Sequence, residues 1–136
     1  MQAIIMAIAV IRKGDQILIR KTDPSKNPYS EPWALFGGKI IGSESVEDEM
    51  NNEFLTRWNI SLQIKENLWW DSEIKNDNDG ETKRFIYLDV LCEIDANSSP
   101  SPTNSNEQLQ WVDLKDLDNY ELNPPSKTLL TKLQYI

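Results

Sequence analysis

The chain has 136 residues, 39% hydrophobic and 9% aromatic, enough for one domain over 1–136 with a sizeable core and too few for two. Its formal net charge of −8, from 22 acidic against 14 basic residues, argues against a nucleic-acid partner, because binding to that backbone is driven by clustered Lys and Arg. With no His and a single Cys, intrachain disulfides and Cys/His zinc sites are excluded, and hydrolysis would have to run on Asp and Glu with a hard divalent cation.

The opening run MQAIIMAIAVI is apolar for about ten residues, too short to cross a bilayer and without a basic leader, so it is expected to be a buried strand of a soluble, cytoplasmic protein with no membrane partner. Residues 2–12 and 16–21 are β-rich and joined by Gly14-Asp15, the chemistry of a hairpin turn. TDPSKNPYSEP reads as a loop leading to the short run WALF, the pair Gly37-Gly38 and a brief extended KII.

From Ser45, a suitable N-cap with Asp48 three residues on, the period becomes helical. Val46, Met50, Phe54 and Trp58 recur every fourth residue and predict one core-facing stripe ending at Asn59. Beyond the helix, ISLQIKENLWW and KRFIYLDVLCEI read as long strands separated by the acidic loop DSEIKNDNDGET, with Asp79-Gly80 as its turn. That loop is no calcium-binding EF-hand: with Gly80 in the glycine position, Lys75 and Ile86 fall where carboxylates are required.

Cys92 reads as a core thiol. In the pair Trp69-Trp70, strand alternation predicts one indole in the core and one on the surface, with base stacking as the less favoured role. DANSSPSPTNSN is predicted to be a mobile polar loop, followed by the strand QLQWVDL, a turn at LKDL, and a last helix from about Pro125 to Gln134. The element order predicts an α+β fold with a mixed sheet between two helices.

On the first helix, Glu49, Glu53 and Arg57 stand four apart and share one face. Two readings are open. The acids of the first turn can simply complement the helix dipole while Glu53 and Arg57 form a surface pair. Alternatively, carboxylates converging with a backbone carbonyl from the Gly-Gly turn can hold a magnesium ion that bridges phosphate oxygens.

The whole stretch GGKIIGSESVEDEMNNEFLTRWNI resembles the box of the Nudix hydrolases: Gly, five residues, Glu, seven residues, Arg-Glu, an aliphatic, one residue, Glu-Glu, one residue, Gly, an aliphatic. Gly38, Glu44, Asn52-Glu53, Phe54, Thr56-Arg57, Asn59 and Ile60 fall in that register with no gap. EPWALFGGK before the box and QWVDLKDLDNYELNPPSKTLL after it are similar to the family's flanking segments, so the likeness covers nearly the whole chain. The resemblance implies an α/β/α sandwich and a cleft for a small nucleotide-type ligand, with homodimerisation left open.

The departures bear on the chemistry. Asn52 stands for Arg, Thr56 and Arg57 for the two Glu, and Asn59 for Gly; of the paired charges only Glu53 remains. In the family those Glu bind the divalent cations that hold the diphosphate, so replacing one by Thr and one by Arg should weaken hard-cation binding at close range. Two functions follow from the resemblance. In one, magnesium-dependent pyrophosphohydrolysis is weak or lost and the domain binds a nucleotide or a protein, with Arg57 a direct phosphate contact. In the other it is an active Mg- or Mn-dependent hydrolase of a nucleoside diphosphate linked to another moiety, with Glu53 and Glu49 catalytic and Gly38, Glu53, Glu49 and Glu107 holding metal. Arg20, Lys39, Arg57 and Ser126 are candidate substrate contacts, Ser126 also suiting a capping role; Gly37, Gly38 and Glu44 organise the box.

Overall fold

The computed structural model describes residues 1–136, as seven strands, two α-helices and one 3₁₀ turn. In chain order they are β1 (Ala3–Lys13), β2 (Gln16–Lys21), β3 (Trp33–Ala34), β4 (Phe36–Ile40), α1 (Val46–Trp58), β5 (Leu62–Asn76), β6 (Thr82–Ile94), β7 (Gln108–Asp113), the 3₁₀ helix Leu114–Asn119 and α2 (Pro124–Lys132).

The apolar N-terminal run forms the centre of the sheet. β1 pairs in parallel with β6 along nine residues; on its other side it pairs antiparallel with β4 near its start and with β2 near its end. β2 also pairs with β3 and β7, and β5 closes the far edge against β6. One core lies between the sheet and α1, around Phe36, Met50, Phe54 and Trp58; the other lies on the α2 side, around Val10, Ile17, Leu129 and Leu130. This is the expected α+β fold, a mixed sheet between two helices.

The helices start where their caps dictate. Ser45 Oγ accepts from the Asp48 N–H, and α1 ends at Asn59, whose left-handed φ of 54° turns the following Ile60 N–H back to the Phe54 carbonyl. Met50, Phe54 and Trp58 are buried, and Trp58 meets both Phe36 and Phe54 edge-to-face at 4.9 Å. In α2 the cap is Asn123, accepting from the Ser126 N–H, with Pro124 and Pro125 in the first turn, where a missing N–H costs nothing.

Three expectations are corrected. The segment DSEIKN is strand rather than loop: β5 runs on to Asn76, and only Asp77 to Glu81 turns, around Gly80 at φ 82°. Neither tryptophan of Trp69-Trp70 enters the core, Trp70 being 72% exposed, because β5 is an edge strand and shifts register between Asn67 and Trp70. The polar loop after β6 is tied down: Ser101 and Thr103 N–H groups donate to the carbonyls of Trp58 and Arg57, and Asn59 Nδ2 donates to Ser99 O. It satisfies carbonyls that the end of α1 leaves unpaired. Cys92 is buried, and that burial pushes its thiol up to about 12. No helix is long and apolar enough to cross a membrane.

Candidate functional site

A cleft of about 630 Å³ opens on the α2 side of the sheet. Met6 and Ile8 of β1 and Tyr87 and Asp89 of β6 lie along its floor, while the β2–β3 loop, the α2 N-terminus and the segment before β7 wall it. Arg20, Gly37, Arg57 and Glu107 gather at one end.

That end is built around the Trp58 indole. Arg57 Cζ lies 4.2 Å and Arg20 Cζ 5.3 Å from the ring centroid, and the indole N–H donates to Glu107 Oε1 at 3.1 Å. Arg20 is locked: Nη1 donates to Glu107 Oε2 at 2.8 Å, Nε donates to Leu35 O at 3.1 Å, and its side chain is 16% exposed. Burial lowers the Arg20 pKa from its ordinary value; the Glu107 carboxylate opposes that shift and the neighbouring Arg57 charge adds to it. Arg57 is held loosely. Its Nη1 reaches Glu53 Oε1 and the Gly37 carbonyl oxygen only at 3.5 Å each, and its side chain is 39% exposed.

The remaining candidates divide. Glu49 is 8% exposed, and its carboxylate accepts from the backbone N–H groups of Ile41 and Gly42 at 2.8 to 3.2 Å, tying the loop before α1 to the helix. Glu44 accepts from Asn52 Nδ2 at 3.0 Å, so the residue standing for the box Arg still engages the box Glu. A Cβ on Gly38 would sit 3.0 Å from Glu53 Cγ, so glycine there lets β4 approach α1. Ser126 Oγ accepts from the Leu35 N–H at 2.9 Å, bracing α2 against the β3–β4 junction at the cleft wall. Lys39 is exposed and lies outside the cleft.

No protein-family model matches the chain. Full-length relatives do. Nucleoside triphosphatase NudI of Klebsiella pneumoniae strain 342 is 26% identical over 129 residues, covering 90% of this chain and 91% of that protein. The protein of the same name from Escherichia fergusonii is 28% identical over 129 residues, covering 90% of each. Among solved structures, a MutT Nudix hydrolase from Burkholderia pseudomallei superposes with a TM-score of 0.68 at 21% identity, covering 96% of this chain and 98% of that one. The E. coli ORF135 protein superposes with a TM-score of 0.63 at 19% identity, covering 96% and 92%. The fold is that of the Nudix hydrolases, and the chain is similar to MutT-like and NudI proteins along nearly its whole length.

Nudix hydrolases generally use a divalent metal such as Mg or Mn, so the donors at this end of the cleft bear on whether such an ion fits. They do not fit as arranged. No group of three or more Asp, Glu, Cys or His side chains converges. Glu53 faces a guanidinium, Glu49 is taken up by backbone N–H groups, and both Glu107 oxygens are engaged by Arg20 and Trp58. The carbonyl that reaches this cluster is that of Gly37 rather than Gly38, and the cation it meets is Arg57.

Two parts of the cleft escaped the sequence reading. Trp58 shows in sequence only as a core stripe residue, with nothing to mark its indole as the support for two arginines. Asp89 is the single acid inside the apolar stretch FIYLDVLC; an acid interrupting a buried strand is the signal that could have found it.

Proposed function

We propose that this Nudix domain binds a nucleoside-diphosphate-type ligand in the cleft, with Arg57 contacting phosphate where relatives place a divalent cation, and that magnesium-dependent pyrophosphohydrolysis is weak or lost. The observation that carries this reading is the position of the Arg57 guanidinium, between the Glu53 carboxylate and the Gly37 carbonyl. Those two oxygens, with water, are the donors a hard cation would want; a fixed positive charge holds them instead. Both contacts are long and half-exposed, so a phosphate oxygen can take the guanidinium with shorter, charge-assisted bonds at little cost in broken ones. Arg20 lies near enough to add to the positive field, its buried ion pair with Glu107 keeping it in place. Glu44 and Glu49 serve in this reading as organisers of the loop before α1.

The competing reading, an active Mg- or Mn-dependent hydrolase, draws on the relatives named as nucleoside triphosphatases. It requires Arg57 to leave Glu53 and the Gly37 carbonyl. Calorimetric titration of magnesium and manganese, followed by a turnover panel of nucleoside triphosphates, ADP-ribose and dinucleoside polyphosphates, separates the two. The binding reading expects no metal uptake at the cleft, no turnover above background, and nucleotide affinity lost in Arg57→Ala. Metal-dependent turnover that disappears in Glu53→Gln would establish the enzyme instead. The double variant Thr56→Glu, Arg57→Glu is expected to gain metal affinity, since it restores two carboxylates beside Glu53.

A further inference from the structure

The end of the cleft away from Arg57 holds a carboxylate with no partner. Asp89 is 7% exposed, lines the cleft, and neither accepts a hydrogen bond nor forms an ion pair with any protein group. Every fully buried polar side-chain atom in the protein has a hydrogen-bond partner, so the Asp89 oxygens are those that open on the cleft. A carboxylate shielded from water and left without donors is expensive, and a ligand that brings donors relieves that cost.

Its position relative to Arg57 follows from strand register. Ile8 of β1 pairs with Gly37 on one side and with Asp89 on the other, so the three residues form one row across three strands. Two strand spacings put Asp89 about 10 Å from Gly37, whose carbonyl meets the Arg57 guanidinium. That separation is comparable to the reach of a nucleotide from its terminal phosphate to its base.

We propose that Asp89 is the base-reading group of this cleft and that it selects a base edge carrying two adjacent N–H donors, the chemistry of guanine. An ionised carboxylate offers two oxygens that only accept, which matches the ring N–H and exocyclic amino group of guanine side by side. Adenine and cytosine offer an amino donor next to a ring nitrogen that accepts, and uracil offers one N–H flanked by carbonyls. Each leaves an acceptor facing a carboxylate oxygen. Lys132 of α2 does not fill the role, because its Nζ lies 3.6 Å from Asp71 of β5. Burial pushes the Asp89 carboxyl up to about 6, with Lys132 opposing and Asp71 adding, while β1 presents the apolar Ile8. Guanine selection is therefore expected at pH 7 to 8 and should fade as pH falls through that value.

The proposal rests on the nucleotide-binding reading above and is tested by calorimetry with GDP, IDP, ADP, CDP and UDP in EDTA at pH 7.5, on wild type and Asp89→Asn. GDP is expected to bind roughly tenfold or more tightly than IDP, which lacks the amino group, and than UDP; Asp89→Asn is expected to erase that preference. Equal binding of all five by wild type, or a guanine preference retained in Asp89→Asn, overturns the role of Asp89 and leaves the nucleotide reading intact. Failure of all five to bind wild type overturns that reading and this one with it.

Discussion

Arg20 and Arg57 carry the same charge against the same indole, yet their surroundings give them different work. Arg20 has short contacts and a buried carboxylate; Arg57 has long contacts and a half-exposed partner. Removing the support between them should be costly: Trp58→Phe strips the donor from Glu107 Oε1 and is expected to destabilise the fold by about 1–3 kcal/mol in urea denaturation. Asp89 ties stability to pH. Its folded pKa is raised to about 6 from an ordinary 3.8, so its protonated form favours folding; that stabilisation is full below about pH 3.8 and lost as pH rises through 6. Asp89→Asn should therefore be more stable than wild type at pH 8, by about 1–3 kcal/mol, with the gap closing near pH 4. Denaturation midpoints across that range check it, and a variant less stable at pH 8 would contradict the burial argument. Arg57 was legible in the sequence because it breaks a register that the residues around it keep. Asp89 was not, because its significance depends on what faces it across two strands.

At the scale of elements, α1 was readable from end to end: Ser45 caps it, the four-residue stripe buries it and Asn59 stops it. What ends the helix also fixes the loop beyond β6. Asn59 holds a left-handed φ and donates to Ser99, and the loop returns its own N–H groups to the last carbonyls of α1. Composition predicted mobility there because no apolar residue anchors the segment; the anchors are backbone groups, which composition does not display. Asn59→Gly is expected to stay within about 0.5 kcal/mol of wild type, whereas Asn59→Val should cost about 1–2 kcal/mol from the left-handed conformation alone. Thermal unfolding of the pair separates them. β5 shows the reverse failure. Its acidic second half reads as loop, but pairing with β6 and contacts made by Lys75 carry it on as strand.

For the molecule as a whole, the cleft is closed by loops that the fold brings together from distant parts of the chain. Asn104 Nδ2 donates to Asp23 at 2.9 Å, linking the segment before β7 to the β2–β3 loop. Lys75 Nζ donates to Tyr29 Oη and Tyr87 Oη and pairs with Glu73 at 3.0 Å, linking the same loop to the β5–β6 hairpin. Lys75→Met should release that clasp and speed hydrogen exchange at residues 25–30, while leaving the β1–β6 pairing protected. The mixed sheet between two helices followed from the element order and the box resemblance; the links of Asn104 to Asp23 and of Lys75 to Tyr29 and Tyr87 did not, because each joins residues at least twelve apart by contacts no local pattern encodes. The most direct measurement of whether Arg57 stands in for a cation is the affinity of a nucleoside diphosphate in EDTA and in magnesium, for wild type and Arg57→Ala. The expected result is equal affinity in both buffers for wild type and a loss of tenfold or more in Arg57→Ala. Binding that requires magnesium and survives Arg57→Ala would contradict it.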